Sequence, residues 1–222
     1  MMADVTDDAT RTYRSPRRDA QARATRRRVL EAATVLFLAN GFAGTTVRAV
    51  AARAGVSVAT VELLFGAKPR LLKAAIDVAI AGDDEPVPVL DRAWADAALN
   101  VESAEEVLAR AADVIAAAQA RSSGLVLAVF EAARADPTLA DLTTELTAQR
   151  QVTARWLVAA LARHTAVGHD AVETLWVLMD PAVYDRLVRH LGWSRQRYRE
   201  WFARSAGCLL LDRDPTRQED RR

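Results

Sequence analysis

Apolar residues recur three and four positions apart from Ala20 to Asn40, with Val29, Leu30, Ala33, Leu36 and Phe37 on one side of a helix. Asn40-Gly41 stops that helix, and residues 1 to about 19, polar and without period, read as a disordered arm. The pattern restarts with Thr46 as the cap of a short helix, Val47–Ala54. Gly55 follows, placed for a left-handed turn, and Ser57 caps a second short helix from Val58 to about Leu64. Pro69 suits the first turn of a fourth helix running to about Ala81.

The stretch GDDEPVPVL (82–90) combines acids and prolines and reads as a linker, the best candidate for a domain boundary. Beyond it the period is helical throughout, with segments predicted at 91–99, 103–120, 123–135, 138–165, 170–191 and 194–211. Pro137 and the VGHD stretch (167–170) separate neighbours, and Gly192 and Ser194 stop one helix and cap the next. Asp180-Pro181 either caps and restarts a helix or kinks it. No strand pattern competes, so the fold class is all-α, and no internal repeat or low-complexity tract interrupts it.

Charge changes this picture more than composition does. Between Arg11 and Lys73 the chain holds 13 basic and 3 acidic residues, whereas the remainder holds 17 basic and 26 acidic. A basic N-terminal third on an acidic body fits a head that meets a polyanion, although a solvated arginine-rich face accounts for the charge equally well. Cys208 is the sole cysteine, so no intrachain disulfide forms and a reducing cytosol is the expected home. The polar, acidic start MMADVTDDATRTYR does not read as a signal peptide, and no apolar run is expected to reach the roughly 18 residues of a membrane span.

In VRAVAARAGVS (47–57), Ala51 supplies a small contact residue, Gly55 a corner and Ser57 a cap, as two helices crossing near a right angle require. Val47, Val50, Val56, Val61 and Leu64 then point to a shared core, and the second helix projects Ser57, Val58, Ala59, Thr60 and Leu63 outward. Coupled to the basic head, this spacing predicts DNA binding by a helix-turn-helix.

The run RRRVLEAATVLFLANGFAGTTVRAVAARAGVSVATVELLFGAKPRLLKAA (26–75) resembles the N-terminal domain of the TetR family of bacterial transcriptional regulators, through LEAATVLF, NGF, TTV, VAARAGVS, Phe65 and Lys68. The body is similar only in its helical layout, and its ending LMDPAVYDRLVRHLGWSRQRYREWFA (178–203) resembles that of actinobacterial members. The resemblance implies a three-helix DNA-binding head at 20–82, a larger helical ligand-binding and dimerisation domain at 83–212, an arm at 1–19 and a polar tail at 213–222. It implies a cytoplasmic repressor that binds a palindromic operator as a homodimer and is released by a small molecule. No catalytic role, cofactor or metal enters this reading.

Residue by residue, the resemblance makes Thr46 and Ser57 helix caps that touch phosphates. It makes Val58, Ala59, Thr60 and Leu63 the base-facing side, and Lys68 a phosphate contact at a helix start. Arg14, Arg17, Arg18 and Arg23 become a flexible arm reaching the backbone or minor groove. Glu62 and Leu64 depart from the family, which usually carries tyrosine at the first position and tyrosine or histidine at the second. Two readings of Glu62 stay open: it pairs with Arg48 or another group of the preceding helix, or it accepts from a cytosine N4 amine.

Trp94, Leu127, Phe130, Trp156, Trp176 and Met179 read as core by spacing and, with the resemblance, as pocket candidates. Apolar stripes at Leu142, Leu146, Val152, Trp156 and Ala160, and at Tyr198, Trp201, Phe202, Ser205 and Leu209, point to a dimer bundle built from the helices at 138–165 and 170–211. The alternative from another class is a helical ligand-binding or protein-interaction module whose head no longer reads DNA, which Glu62 and Leu64 favour.

Overall fold

The computed structural model describes residues 16–211, and these residues form an all-helical fold. Helix α1 (Pro16–Gly44) is bent at Gly41, whose φ of 65° and ψ of −175° end the regular helix. Helices α2 (Val47–Ala54), α3 (Val58–Phe65) and α4 (Lys68–Ala81) follow in close succession. After the loop at 82–92 come α5 (Ala93–Leu99), α6 (Ala104–Ala132) and α7 (Ala140–Leu161). Two short helices, α8 (Ala171–Leu178) and α9 (Pro181–Tyr184), lead through a π-helical turn (Asp185–His190) into α10 (Arg195–Leu210).

Helix α1 starts at Pro16 instead of Ala20, because proline fits the first turn and the run that follows is rich in alanine and arginine without a glycine. Arg17, Arg18 and Arg23 therefore sit on a helix, solvent-exposed, and not on an arm ahead of it; Arg14 lies outside the described residues. The expected break at residues 121–122 is absent. Helix α6 runs unbroken for 29 residues, and Ser122 and Ser123 are buried within it. The Ser122 hydroxyl donates to the Ala118 carbonyl one turn back, which keeps it in the helix. Gly124 is needed for close approach. A Cβ there would stand 2.7 Å from the Arg189 guanidinium and 2.8 Å from Leu38 Cδ2.

Helix α6 also carries an 18-residue window of mean hydropathy 1.3, which corrects the expectation that no apolar run reaches that length. Alanine makes up much of the window, and the helix is the central member of the body, packed by α1, α4, α7, α9 and α10. Asp180 caps and restarts the chain, its carboxylate accepting from the Ala182 N–H, so the segment expected at 170–191 is two short helices and a π turn.

Two cores result. The first joins Val29, Phe37, Val50, Val61 and Leu72 of the head to Leu125 and Val129 of α6 and Leu142 and Leu146 of α7. The second gathers the first half of α6, the end of α7 and α8 to α10 around Tyr198 and Phe202. Tyr184 and Tyr198 meet edge to face at 4.7 Å. Leu142, Leu146, Ala160, Tyr198 and Phe202, expected on a dimer surface, are thus buried within their own chain. What α7, α8 and α10 leave exposed and apolar is Val152, Val177 and Leu209.

Candidate nucleic-acid interface and adjoining cavity

The corner formed by α2 and α3 is held by caps at both helix starts. Thr46 Oγ1 accepts from the Ala49 N–H at 3.1 Å, and Ser57 Oγ accepts from the Thr60 N–H at the same distance. Between them Gly55 adopts the left-handed conformation, φ 66° and ψ 40°, and its N–H returns to the carbonyls of α2. Val50, Ala51 and Val61 are buried under the corner, so the opposite side of α3 faces solvent. There Leu63, a large apolar side chain, is 87% exposed among the described residues. Ser57 and Ala59 are exposed beside it, and Val58 and Thr60 are half-buried. Ser57 and Thr60 share a hydroxyl–hydroxyl hydrogen bond of 2.8 Å, which fixes both side chains at the helix start.

Glu62 is exposed, and neither it nor Arg48, also exposed, makes an ion pair among the described residues. The expected Glu62–Arg48 pair is therefore not formed; both side chains stand in water, where such a pair is worth little. Lys68 stands differently from expectation. Its ammonium donates to the carbonyls of Phe42 at 3.0 Å and Thr45 at 3.1 Å and lies 4.0 Å over the Phe42 ring. Two of its three N–H donors thus close the carbonyls left open where α1 ends, and Lys68 ties α4 to the head. Thr45, which sequence reasoning passed over in favour of Thr46, is buried and donates to the Gly41 and Leu36 carbonyls. The threonine doublet was its only visible signal. Lys68→Met is expected to lower stability by about 2 kcal/mol, since two carbonyls lose a charged donor; urea unfolding of the full chain checks this.

Behind the head lies a cavity of about 920 Å³ between α4, α6, α7 and the 83–90 loop. Of the pocket candidates, Trp94, Phe130 and Met179 line it. Leu127, Trp156 and Trp176 do not, the two tryptophans being turned to other packing. Trp156 meets Trp94 edge to face at 5.2 Å, backing the wall from outside, and Trp176 lies beneath the Arg150 guanidinium at 4.2 Å. Leu127 lies half-buried on α6 away from the cavity.

Arg150 and Gln119 are wall residues that no sequence signal marked, since each depends on partners far along the chain. Arg150 pairs with Asp180 at 2.8 Å; burial pushes its pKa down and the Asp180 carboxylate opposes that shift. Gln119 Nε2 donates to the Met179 carbonyl at 2.6 Å. Lys73 of α4 bridges Asp77 at 2.7 Å and Glu145 of α7 at 3.0 Å. Burial would lower the Lys73 pKa, but its two carboxylate partners carry it above the usual lysine value, so it stays charged and bonded. Arg121 of α6 donates to the Ala79 and Ile80 carbonyls at the end of α4. The helix that carries the head is thereby fastened to both walls of the cavity.

Residues 29–75 match the family described as bacterial regulatory proteins, tetR family. The whole fold is similar to Bacillus subtilis FadR solved with stearoyl-CoA, with a TM-score of 0.63 at 15% identity over 81% of this chain and 96% of that one. It is also similar to a transcriptional regulator from Saccharomonospora viridis solved with choline (TM-score 0.60, 19% identity, 85% of this chain and 98% of that one). A TetR-family regulator from Rhodococcus sp. gives 0.58 at 20% identity over 83% of this chain and 98% of its own. At these identities the likeness is one of fold. No curated protein matches the chain in sequence.

Proposed function

We propose, from the premise that this chain belongs to the tetR family of bacterial regulatory proteins through its residues 29–75, that it is a cytoplasmic repressor which binds a palindromic operator as a homodimer and lets go when a small molecule fills the cavity. The observation that carries this reading is the free outer face of α3, fixed by the Ser57 cap and presenting Leu63 to solvent on a basic head. A helix so held enters the major groove with its first residues at the base edges. Thr60 and Ser57 supply hydroxyls to bases or phosphates, and Val58, Ala59 and Leu63 supply apolar contact to thymine methyls. Arg17, Arg18, Arg23 and Arg48 supply positive charge toward phosphates, with Arg14 ahead of them. Thr46 adds a contact at the start of α2, and the third Lys68 N–H, unused among the described residues, one at the start of α4.

Two heads are needed for useful affinity, and the apolar residues left exposed on α7, α8 and α10 support pairing through those helices. A ligand acts by spreading α4 from α6 and α7 against the Lys73 and Arg121 ties, which turns α3 out of its groove. In footprinting with sizing of the complex, this reading expects two chains per DNA. It expects two protected half-sites one helical turn, about 34–36 Å, or a multiple of that apart. One chain per DNA, or protection without twofold symmetry, overturns it. The competing reading, an interaction module that no longer reads DNA, draws on the unpaired Glu62; it expects no footprint.

A further inference from the structure

We propose that the cavity takes a lipophilic amine, a molecule with an apolar body and one protonated nitrogen bearing N–H; this rests on the reading of the cavity as the effector site. The volume, about 920 Å³, suits a ligand of drug size, and Trp94, Ile115, Val126, Phe130 and Met179 give it an apolar wall.

Two buried polar side chains of that wall, Gln119 and Ser122, leave acceptors open. Gln119 is 8% exposed, and its amide N–H goes to the Met179 carbonyl, so its carboxamide oxygen is the end left over. That oxygen has no protein donor among the described residues. The Ser122 hydroxyl has spent its proton on Ala118 and keeps only lone pairs. Asp77 and Glu145 share the single cation of Lys73, and Asp84 and Glu85 make no ion pair among the described residues. Each of the wall's two guanidinium groups already lies against a partner, although Arg26 makes no ion pair among the described residues and Arg150 Nε no hydrogen bond. Arg150 is neutralised by Asp180 and stacked on Trp176, and Arg26 lies 4.7 Å over the Phe65 ring. An anionic ligand would meet surplus carboxylates and only a few donors, on Arg26, Gln149 and Arg150 Nε, whereas an ammonium offers hydrogens to the Gln119 oxygen and a countercharge to the rim.

The test is calorimetric titration of the full chain, without DNA, using four probes of one length: decylamine, decyltrimethylammonium, decanol and decanoate. Decylamine is expected to bind at least about tenfold tighter than decanoate and several-fold tighter than decyltrimethylammonium, which has the charge but no N–H. The double variant Asp84→Asn, Glu85→Gln, at two carboxylates that make no ion pair among the described residues, is expected to erase most of the preference over decanoate while leaving decanol binding and the unfolding temperature in place. Gln119→Met is expected to remove the preference over decyltrimethylammonium. Decanoate binding as tightly as decylamine, or no binding by any probe, overturns the proposal. Release of DNA by decylamine is read in a separate assay and bears only on the effector reading.

Discussion

Phe37→Ala is expected to cost about 3–5 kcal/mol and to leave the head unfolded at temperatures where the native chain is intact. Phe37 is wholly buried in α1, stacked on Phe42 with ring centroids 6.2 Å apart. It belongs to the core that reaches from Val50 and Val61 under the α2–α3 corner to Leu125 and Val129 of α6. The hole it leaves cannot close, since the surrounding helices are pinned by Lys68 and by Arg121. The loss should therefore appear as a lower midpoint in urea for the whole chain, not as a separate early transition of the head. A shift under 1 kcal/mol would mean that the head and α6 do not share one core.

Leu63→Asp should do the reverse, with stability unchanged within about 0.5 kcal/mol and DNA affinity falling roughly 10- to 100-fold. Leu63 is the most exposed of the large apolar residues, so its removal leaves no cavity. In the groove, however, the new carboxylate would stand beside Glu62 and face phosphates and base acceptors. Glu62→Gln supplies the opposite sign. With no ion-pair partner among the described residues, Glu62 contributes mainly its charge, and removing it should raise affinity several-fold. Fluorescence anisotropy at fixed salt reads both variants. If Glu62→Gln instead weakens binding only to sites with cytosine at one position, the carboxylate is reading the N4 amine.

Sequence sufficed for features with local causes. The caps at Thr46, Ser57 and Ser194, the glycine corner at Gly55 and the outward Leu63 follow from neighbours within one turn, and the structure has each of them. The failures have non-local causes. Helix α6 continues through Ser122-Ser123-Gly124 because Leu38 and Arg189 press against it there, from 86 positions before and 65 after Gly124. Lys68 spends two donors on the Phe42 and Thr45 carbonyls, 26 and 23 positions earlier, a tie that a lysine at a helix start does not reveal. An apolar stripe says that a face is covered but not by what. Leu142, Tyr198 and Phe202 are covered by their own chain. The cavity wall is assembled from α4, α6, α7 and α9, and Arg150 acquires meaning only once Asp180 and Trp176 stand beside it.

The central claim is that the α3 face reads DNA from a basic, paired head. The most direct measurement is selection of genomic fragments by the purified full chain, followed by a salt titration of the best fragment. The account predicts a short palindrome, with affinity falling about 10³-fold or more between 50 and 200 mM salt, as expected for a dimer engaging about six or more phosphates. No enriched fragment, or binding indifferent to both sequence and salt with and without added amines, would contradict it.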